Sequence, residues 1–138
     1  MTSMFTFSMI KPEAVKDKHV GAIIHMIEEA GFGIRALKLA QLTYESAGLF
    51  YQVHRDRPFY EQMCRAMSTG PVVAMVLEKE NAVADFRKLI GVTDPAQAVA
   101  GTIRAKFGQN IEANAIHGSD ADATAAIEIK FFFPDISL

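Results

Sequence analysis

The sequence has 138 residues, half of them hydrophobic and 22% charged, which predicts one globular domain spanning residues 1–138 rather than a disordered chain. A net charge of −2 gives no basic field for a nucleic-acid backbone, and the lone Cys64 excludes an internal disulfide or a cysteine-built zinc site. No signal-peptide pattern is visible, and the longest uncharged run, residues 66–77, is too short for a membrane helix. We therefore expect a soluble, cytoplasmic protein that binds neither nucleic acid nor membranes.

The first third of the chain predicts two strands around a helix. Residues 4–10 alternate in a strand pattern that runs into Lys11 and Pro12. Hydrophobic residues from Val20 to Ile27 then follow helical spacing, and residues 33–42 indicate a second strand.

Helices dominate the middle of the chain. Thr43 is a candidate cap for a helix that reaches about residue 53, and Pro58 suits the first turn of another that reaches about Met67. The continuous apolar run 72–77 predicts a strand covered on both faces, and residues 82–90 predict an amphipathic helix.

The last third contains a long segment of weak periodicity, residues 92–113, with a possible short helix at 102–107. Residues 114–118 suit a fourth strand, and the S-x-x-D pattern of residues 119–122 indicates the start of a final helix that carries Glu128. This element order predicts an α+β, ferredoxin-like sandwich: a four-stranded antiparallel sheet covered by helices, with extra helices and a long loop before the last strand.

His117 lies where this last strand would meet the final helix, so we expect an exposed imidazole beside a helix N-terminus that favours anions. Gly118 has no side chain and would permit close approach of backbone or ligand. A histidine nucleophile must be neutral and must have its second nitrogen held, and Glu128 is the candidate carboxylate for that role. In isolation, however, such a histidine is more often structural.

Positive side chains elsewhere favour a phosphate site, since Lys11, Arg87 and Arg104 together would neutralise a di- or triphosphate. Phe59 would stack on a base, although singly each of these residues is more often a surface charge or a core side chain. The sequence lacks the P-loop and the protein-kinase motifs.

Five motifs, in this order and spacing, resemble those of nucleoside diphosphate kinases, and the resemblance covers almost the whole chain. They are T-F-S-M-I-K-P-E at 6–13, R-P-F at 57–59, S-T-G-P-V-V at 68–73, G-T-I-R at 101–104 and N-A-I-H-G-S-D at 114–120. The resemblance implies a ping-pong transfer of the γ-phosphate from a nucleoside triphosphate, typically ATP, to a diphosphate through phosphorylated His117.

The resemblance also implies residue roles. Nδ1 of His117 would carry the phosphate, Glu128 would hold the other nitrogen, and Ser119 would support Glu128. Phosphate, sugar and base would be bound by a wider set of residues: Lys11, Tyr51, His54, Phe59, Arg87, Thr93, Arg104, Ile111, Asn114 and Gly118.

Within that set, Lys11 and Tyr51 would complete the γ-phosphate pocket, while Phe59 and Ile111 would enclose the base. Because stacking discriminates poorly among bases, we expect broad base tolerance. Mg²⁺ would bridge the nucleotide phosphates without a protein metal site, and the chain would form a homo-oligomer, either a tetramer or a hexamer.

Two rivals to a kinase are a binding module and a catalytically inactive relative kept for interactions. The second is disfavoured by the intact set of candidate catalytic residues: Lys11, Tyr51, Asn114, His117, Ser119 and Glu128. A nucleotide-binding or regulatory module without catalysis is the main alternative, because a fold does not fix a function. An RNA-recognition domain is disfavoured, since strand 72–77 carries neither aromatic nor basic residues.

Overall fold

A computed structural model describes residues 4–138 of the chain. Its centre is one sheet with the strand order β2-β3-β1-β4, in which every neighbouring pair is antiparallel. The strands are β1 (Phe5–Ile10), β2 (Gly33–Ala40), β3 (Val72–Glu78) and β4 (Ile116–Gly118). This sheet order and the surrounding helices confirm the predicted ferredoxin-like α+β architecture.

Seven α-helices are present among the described residues. They are α1 (Pro12–Lys16), α2 (Val20–Glu29), α3 (Tyr44–Phe50), α4 (Tyr60–Met67), α5 (Ala82–Ile90), α6 (Ile103–Phe107) and α7 (Asp122–Phe132). Short 3₁₀ helices lie at Gln52–His54 and Pro95–Gln97, and the second of these and α6 are the regular elements within the long segment 92–113. None of the helices in residues 4–138 is long and apolar enough to cross a bilayer.

Both faces of the sheet are buried, because β1 and β3 project apolar side chains in both directions. On one face, Ile10 and Met75 pack with side chains of α2 and α5. On the other face, Phe7 and Val76 pack with side chains of α3, α4 and α7. The prediction that the apolar run 72–77 is covered on both faces is therefore confirmed.

Thr43 caps α3 as predicted. Its side chain accepts from the Ser46 N–H while the Ser46 hydroxyl accepts from the Thr43 N–H, which forms a reciprocal capping box. The α-helix ends at Phe50 and gives way to the 3₁₀ turn, somewhat earlier than the pattern indicated.

Pro58 was expected in the first turn of α4, and this prediction was wrong. The Tyr60 N–H donates to the Arg57 carbonyl at 3.1 Å, so Pro58 lies inside a β-turn and the helix begins only at Tyr60. The fixed φ of proline suits the second position of such a turn as well as it suits a helix start.

The S-x-x-D pattern at 119–122 was also misinterpreted as a helix cap. Ala121 occupies the N-cap position of α7, and no side chain caps this helix. The Ser119 hydroxyl is engaged elsewhere, because it donates to the carboxylate of Glu128. A distant partner therefore takes the hydroxyl that the local pattern assigned to the helix start. The predicted strand 114–118 is likewise shorter, starting at Ile116, because Ala115 has a positive φ of 76°.

Gly118 is required by packing between β4 and α5. A Cβ atom at this position would lie 3.0 Å from both the Phe86 and the Ile90 side chains. We expect Gly118→Ala to lower the free energy of unfolding by about 1–3 kcal/mol, because a packed core resists added methyl groups. Urea denaturation would measure this change.

Gly21→Ala is the matched control, since a Cβ at Gly21 in α2 meets no atom within 4 Å. It should raise the free energy of unfolding by about 0.5–1 kcal/mol, because alanine is the better helix former. Equal stability of the two alanine variants would contradict the proposed role of Gly118 in packing.

Candidate active site

His117 is held by a short chain of hydrogen bonds at the junction of β4 and α7. Its Nε2 atom lies 3.0 Å from both Oε1 and Oε2 of Glu128. The Ser119 hydroxyl donates to Oε1 of the same carboxylate at 2.7 Å. Glu128 and Ser119 are buried, so solvent does not compete strongly for these bonds.

This arrangement fixes the tautomer of the ring. A carboxylate only accepts hydrogen bonds, so the proton of the imidazole lies on Nε2 and the lone pair of the neutral ring lies on Nδ1. Among residues 4–138, Nδ1 has no hydrogen-bond partner. The imidazole exposes 21% of its side chain, which is less than the open ring that the sequence suggested but leaves one side accessible.

Aromatic side chains surround the imidazole and explain its partial burial. The rings of Phe50 and Tyr51, both from the end of α3, approach it edge-on with centroids at 5.5 and 6.2 Å. Phe7 of β1 lies at 6.1 Å. Sequence reasoning missed Phe7 and Phe50, because hydrophobic periodicity alone does not distinguish a core aromatic residue from one that lines a site.

Arg104 is a buried cation that binds only neutral carbonyl groups. Its guanidinium donates to the carbonyls of Ile116 at 2.8 Å and Gly91 at 3.0 Å, while Nε has no partner. Burial, and then the neighbouring charge of Arg87, lowers the pKa of Arg104 to about 10. Arg87 itself donates to the carbonyl of Gly118 at 3.4 Å, so both arginines lie along the strand that carries His117.

Lys11 lies at the end of β1, next to the same strand. Its backbone N–H donates to the Ala115 carbonyl at 2.9 Å. Burial lowers the pKa of the Lys11 ammonium to about 8; Glu13 opposes this shift, whereas Arg104 adds to it. Because the charge of Arg104 contributes to the lowered pKa of Lys11, the two cations lie within Coulomb range of each other.

The three cations differ in burial, since Arg104 is buried and Lys11 half-buried whereas Arg87 is exposed. In the described part of the chain, no carboxylate lies within 4 Å of Lys11, Arg87 or Arg104 as an ion-pair partner. A buried or half-buried cation without a carboxylate in direct contact is costly unless an anion joins it. The cluster therefore indicates an anion site with more than one negative charge.

Polar groups from the long segment lie beside this cluster. The Asn114 side chain donates from Nδ2 to the Thr93 carbonyl at 3.0 Å, and its buried Oδ1 has no partner. Thr93 is exposed, and Tyr51 is buried. Burial, with a further effect of Glu128, raises the pKa of the Tyr51 phenol, so this hydroxyl stays protonated.

The side chains predicted to enclose a base are at the surface. Phe59 and Ile111 expose 45% and 53% of their area, and the His54 ring lies 5.8 Å from the Phe59 ring. Gly118 is buried against α5, and this packing explains the absence of a side chain there without reference to a ligand. The roles of all four residues in nucleotide binding remain predictions.

A histidine held at one nitrogen beside a cation cluster is an arrangement suited to a phosphotransferase. The family model "Nucleoside diphosphate kinase" matches residues 5–138. The chain therefore belongs to the nucleoside diphosphate kinase family and has the phosphotransferase activity of that family.

Relatives with this name are similar over nearly their full length. The nucleoside diphosphate kinase of Flavobacterium psychrophilum is 55% identical over 133 residues, which cover 96% of each chain. That of Chlorobaculum tepidum is 56% identical over 128 residues, which cover 93% of this chain and 91% of the relative.

Solved structures of nucleoside diphosphate kinases have the same fold as this chain. The Aquifex aeolicus nucleoside diphosphate kinase superposes with a TM-score of 0.92 at 45% identity and 94% coverage of each chain. A halophilic nucleoside diphosphate kinase from Halobacterium salinarum, solved in complex with CDP, has a TM-score of 0.92 at 34% identity; the match covers 97% of this chain and 91% of that one.

The lowered pKa of Lys11 makes the activity depend on pH on the alkaline side. In the free enzyme Lys11 is charged below a pH of about 8 and neutral above it. We expect kcat/KM for nucleoside triphosphate to fall about tenfold per pH unit above this point, because a neutral amine does not attract a phosphate. Initial rates measured from pH 6 to pH 10 would test this.

Lys11→Arg serves as the control, because a guanidinium stays charged over this range. The variant should have a lower kcat/KM throughout but no alkaline decline below pH 10. A wild-type profile that stays flat to pH 10 would show that the charge of Lys11 is not needed.

Proposed function

We propose that His117 is the nucleophile and that Nδ1 carries the phosphoryl group. The lone pair of Nδ1 would attack the γ-phosphorus of a nucleoside triphosphate, typically ATP. An N–P bond forms as the bond from phosphorus to the bridging β-phosphate oxygen breaks, and the nucleoside diphosphate leaves. The observation that carries this proposal is the Nε2–Glu128 pair, because it leaves Nδ1 as the free nitrogen.

Glu128 would keep the ring in place through both halves of the reaction. As Nδ1 becomes bonded to phosphorus, positive charge develops on the imidazole, and the adjacent carboxylate stabilises it. Ser119 would hold Glu128 in the right rotamer through its 2.7 Å hydrogen bond. In the second half-reaction a different nucleoside diphosphate takes the phosphoryl group, and the ring returns to its neutral state.

The cation cluster would bind the triphosphate tail. Arg104 and Arg87 lie along the strand of His117 and lack acidic partners, which suits them to phosphate oxygens. Lys11 and the Tyr51 hydroxyl would bind the γ-phosphate, and exposed Thr93 would add a hydroxyl donor. Lys11 and Asn114 would reach the sugar hydroxyl, and the unpaired Oδ1 of Asn114 supports this role.

The base would lie between the exposed side chains of Phe59 and Ile111, with His54 next to Phe59 and near the α-phosphate. Gly118 would allow the phosphates to approach the backbone. Contacts of this kind involve the face of the base and form no hydrogen bonds with its edges, so many bases should be accepted. The Halobacterium salinarum relative, solved with CDP, supports binding of a pyrimidine nucleotide.

We infer that Mg²⁺ arrives on the nucleotide. In residues 4–138 no cluster of three or more His, Cys, Asp or Glu side chains could hold a metal, and Glu128 is already engaged by His117 and Ser119. The residues of the site therefore suit a metal held by phosphate oxygens, where it would neutralise charge on the transferring group.

Labelling tests the proposed nucleophile. Incubation with ATP labelled on its γ-phosphate, without acceptor, should give acid-labile label on the wild-type protein and none on His117→Ala. Glu128→Gln should fold but acquire label about ten- to a hundredfold more slowly, because a charge-assisted hydrogen bond to the ring is weakened.

Addition of GDP or CDP should then release the label at similar rates. Label that never appears on the wild-type protein would support the alternative of a nucleotide-binding module without catalysis. Label that persists in His117→Ala would place the nucleophile elsewhere, and release by only one of the two acceptors would contradict broad base tolerance.

We further propose that the protein acts in the cytoplasm, to which its free, buried Cys64 is suited, and that it assembles as a homo-oligomer through β2. Within the described residues β2 pairs only with β3, so its outer edge has free backbone groups. Leu37 and Leu39 expose 46% and 66% of their area on this strand. An exposed, apolar edge strand is suited to contact with a second copy of the chain.

Leu39→Lys should therefore reduce the mass of the particle measured by light scattering after gel filtration, because a buried charge at the edge is costly. Leu49→Lys, at an equally exposed leucine of α3, is the control and should leave the mass unchanged. An unchanged mass for Leu39→Lys would exclude β2 as the interface without affecting the proposed chemistry.

A further inference from the structure

A strained turn directly precedes the nucleophile. Ala115 has a φ of +76°, a backbone conformation that residues other than glycine rarely adopt. The Ile116 N–H donates to the Asn114 carbonyl at 3.0 Å, which closes a γ-turn around Ala115 in its less favourable form. Such strain persists only where the surrounding structure holds the backbone.

Both backbone polar groups of Ala115 are bound by the segment that follows β1. The Ala115 N–H donates to Oε2 of Glu13 at 2.9 Å, and the Ala115 carbonyl accepts from the backbone N–H of Lys11 at 2.9 Å. Ala115 is completely buried, so water does not easily replace either partner. The turn is therefore held on both sides by the K-P-E sequence.

Two functional side chains depend on the geometry of this turn. Asn114 is the first residue of the turn. Ile116, whose carbonyl accepts a hydrogen bond from Arg104, is the last. His117 follows, paired with Met9 in the sheet. If Ala115 relaxed to a negative φ, the peptide planes on either side would rotate, and the relative positions of Asn114 and His117 would change.

We propose that Glu13 is a positioning residue for phosphoryl transfer: its carboxylate holds the turn at Ala115 and thereby fixes Asn114 and His117 in the site. The inference rests on the proposed phosphorylation of His117. Glu13 also acts on Lys11 through its charge, so the experiment must separate a hydrogen bond to the turn from an effect of charge.

Three variants make this separation by single-turnover labelling of His117 at saturating ATP. Glu13→Ala should slow phosphorylation by about tenfold, because the turn loses its acceptor. Glu13→Gln should stay within about threefold of wild type, because its amide oxygen still accepts from the Ala115 N–H while the charge is gone. Glu28→Ala removes an exposed carboxylate of α2, which has no side-chain partner among the described residues, and should match wild type.

Substitution at the turn provides the decisive comparison. Glycine adopts positive φ without strain, so in the Ala115→Gly background the turn should no longer need Glu13. The further change Glu13→Ala should then cost less than about threefold, and the two substitutions would be non-additive. Melting temperatures of all variants would confirm that the rates are measured on folded protein.

Several results would overturn the proposal. Glu13→Ala at the wild-type rate would show that the turn needs no carboxylate, and equal losses in Glu13→Gln and Glu13→Ala would assign the effect to charge at Lys11. An undiminished tenfold loss in the Ala115→Gly background would show that Glu13 acts elsewhere. In each case the wild-type protein would still be labelled, whereas unlabelled wild type would instead reject phosphorylation of His117 itself.

Discussion

The antiparallel pairing of β4 with β1 is the contact on which the site depends. β4 has only three residues, yet it pairs with a central strand whose two faces are buried, so its register is firmly set. His117 lies opposite Met9, and Lys11 follows directly after β1. Residues more than a hundred positions apart in the chain are thus brought together by backbone hydrogen bonds, before any side-chain interaction contributes.

Electrostatics is the reason why the proposed site is suited to phosphates. The Glu128 carboxylate is hydrogen-bonded to the imidazole. Among residues 4–138, the guanidinium of Arg104 donates only to carbonyl oxygens. The positive charge of Lys11, Arg87 and Arg104 would therefore be neutralised by the polyanion that we propose as the ligand. The carbonyls of Gly91 and Ile116 hold the Arg104 guanidinium in place, so little conformational entropy would be lost on binding of an anion.

Local patterns predicted the strands, the α-helices other than α1 and the Thr43 cap, because these depend on periodicity and near neighbours. Where a residue has a choice between a local and a distant partner, the sequence could not decide. Ser119 had the pattern of a cap but bonds Glu128, and Pro58 had the pattern of a helix start but forms a turn. The hydrogen bond from Ala115 to Glu13, and the contact of Phe50 with His117, depend on tertiary packing that no spacing reveals.

The position of Glu128 on α7 has a consequence for synthesis. Chains are synthesised from the N-terminus, so His117 is added to the chain before Glu128, whose carboxylate orients its imidazole. Until α7 has formed and docked on β1, the ring has no fixed tautomer and Phe132 has not yet covered this face of the sheet. The imidazole of His117 is therefore oriented only after α7 has docked on the sheet.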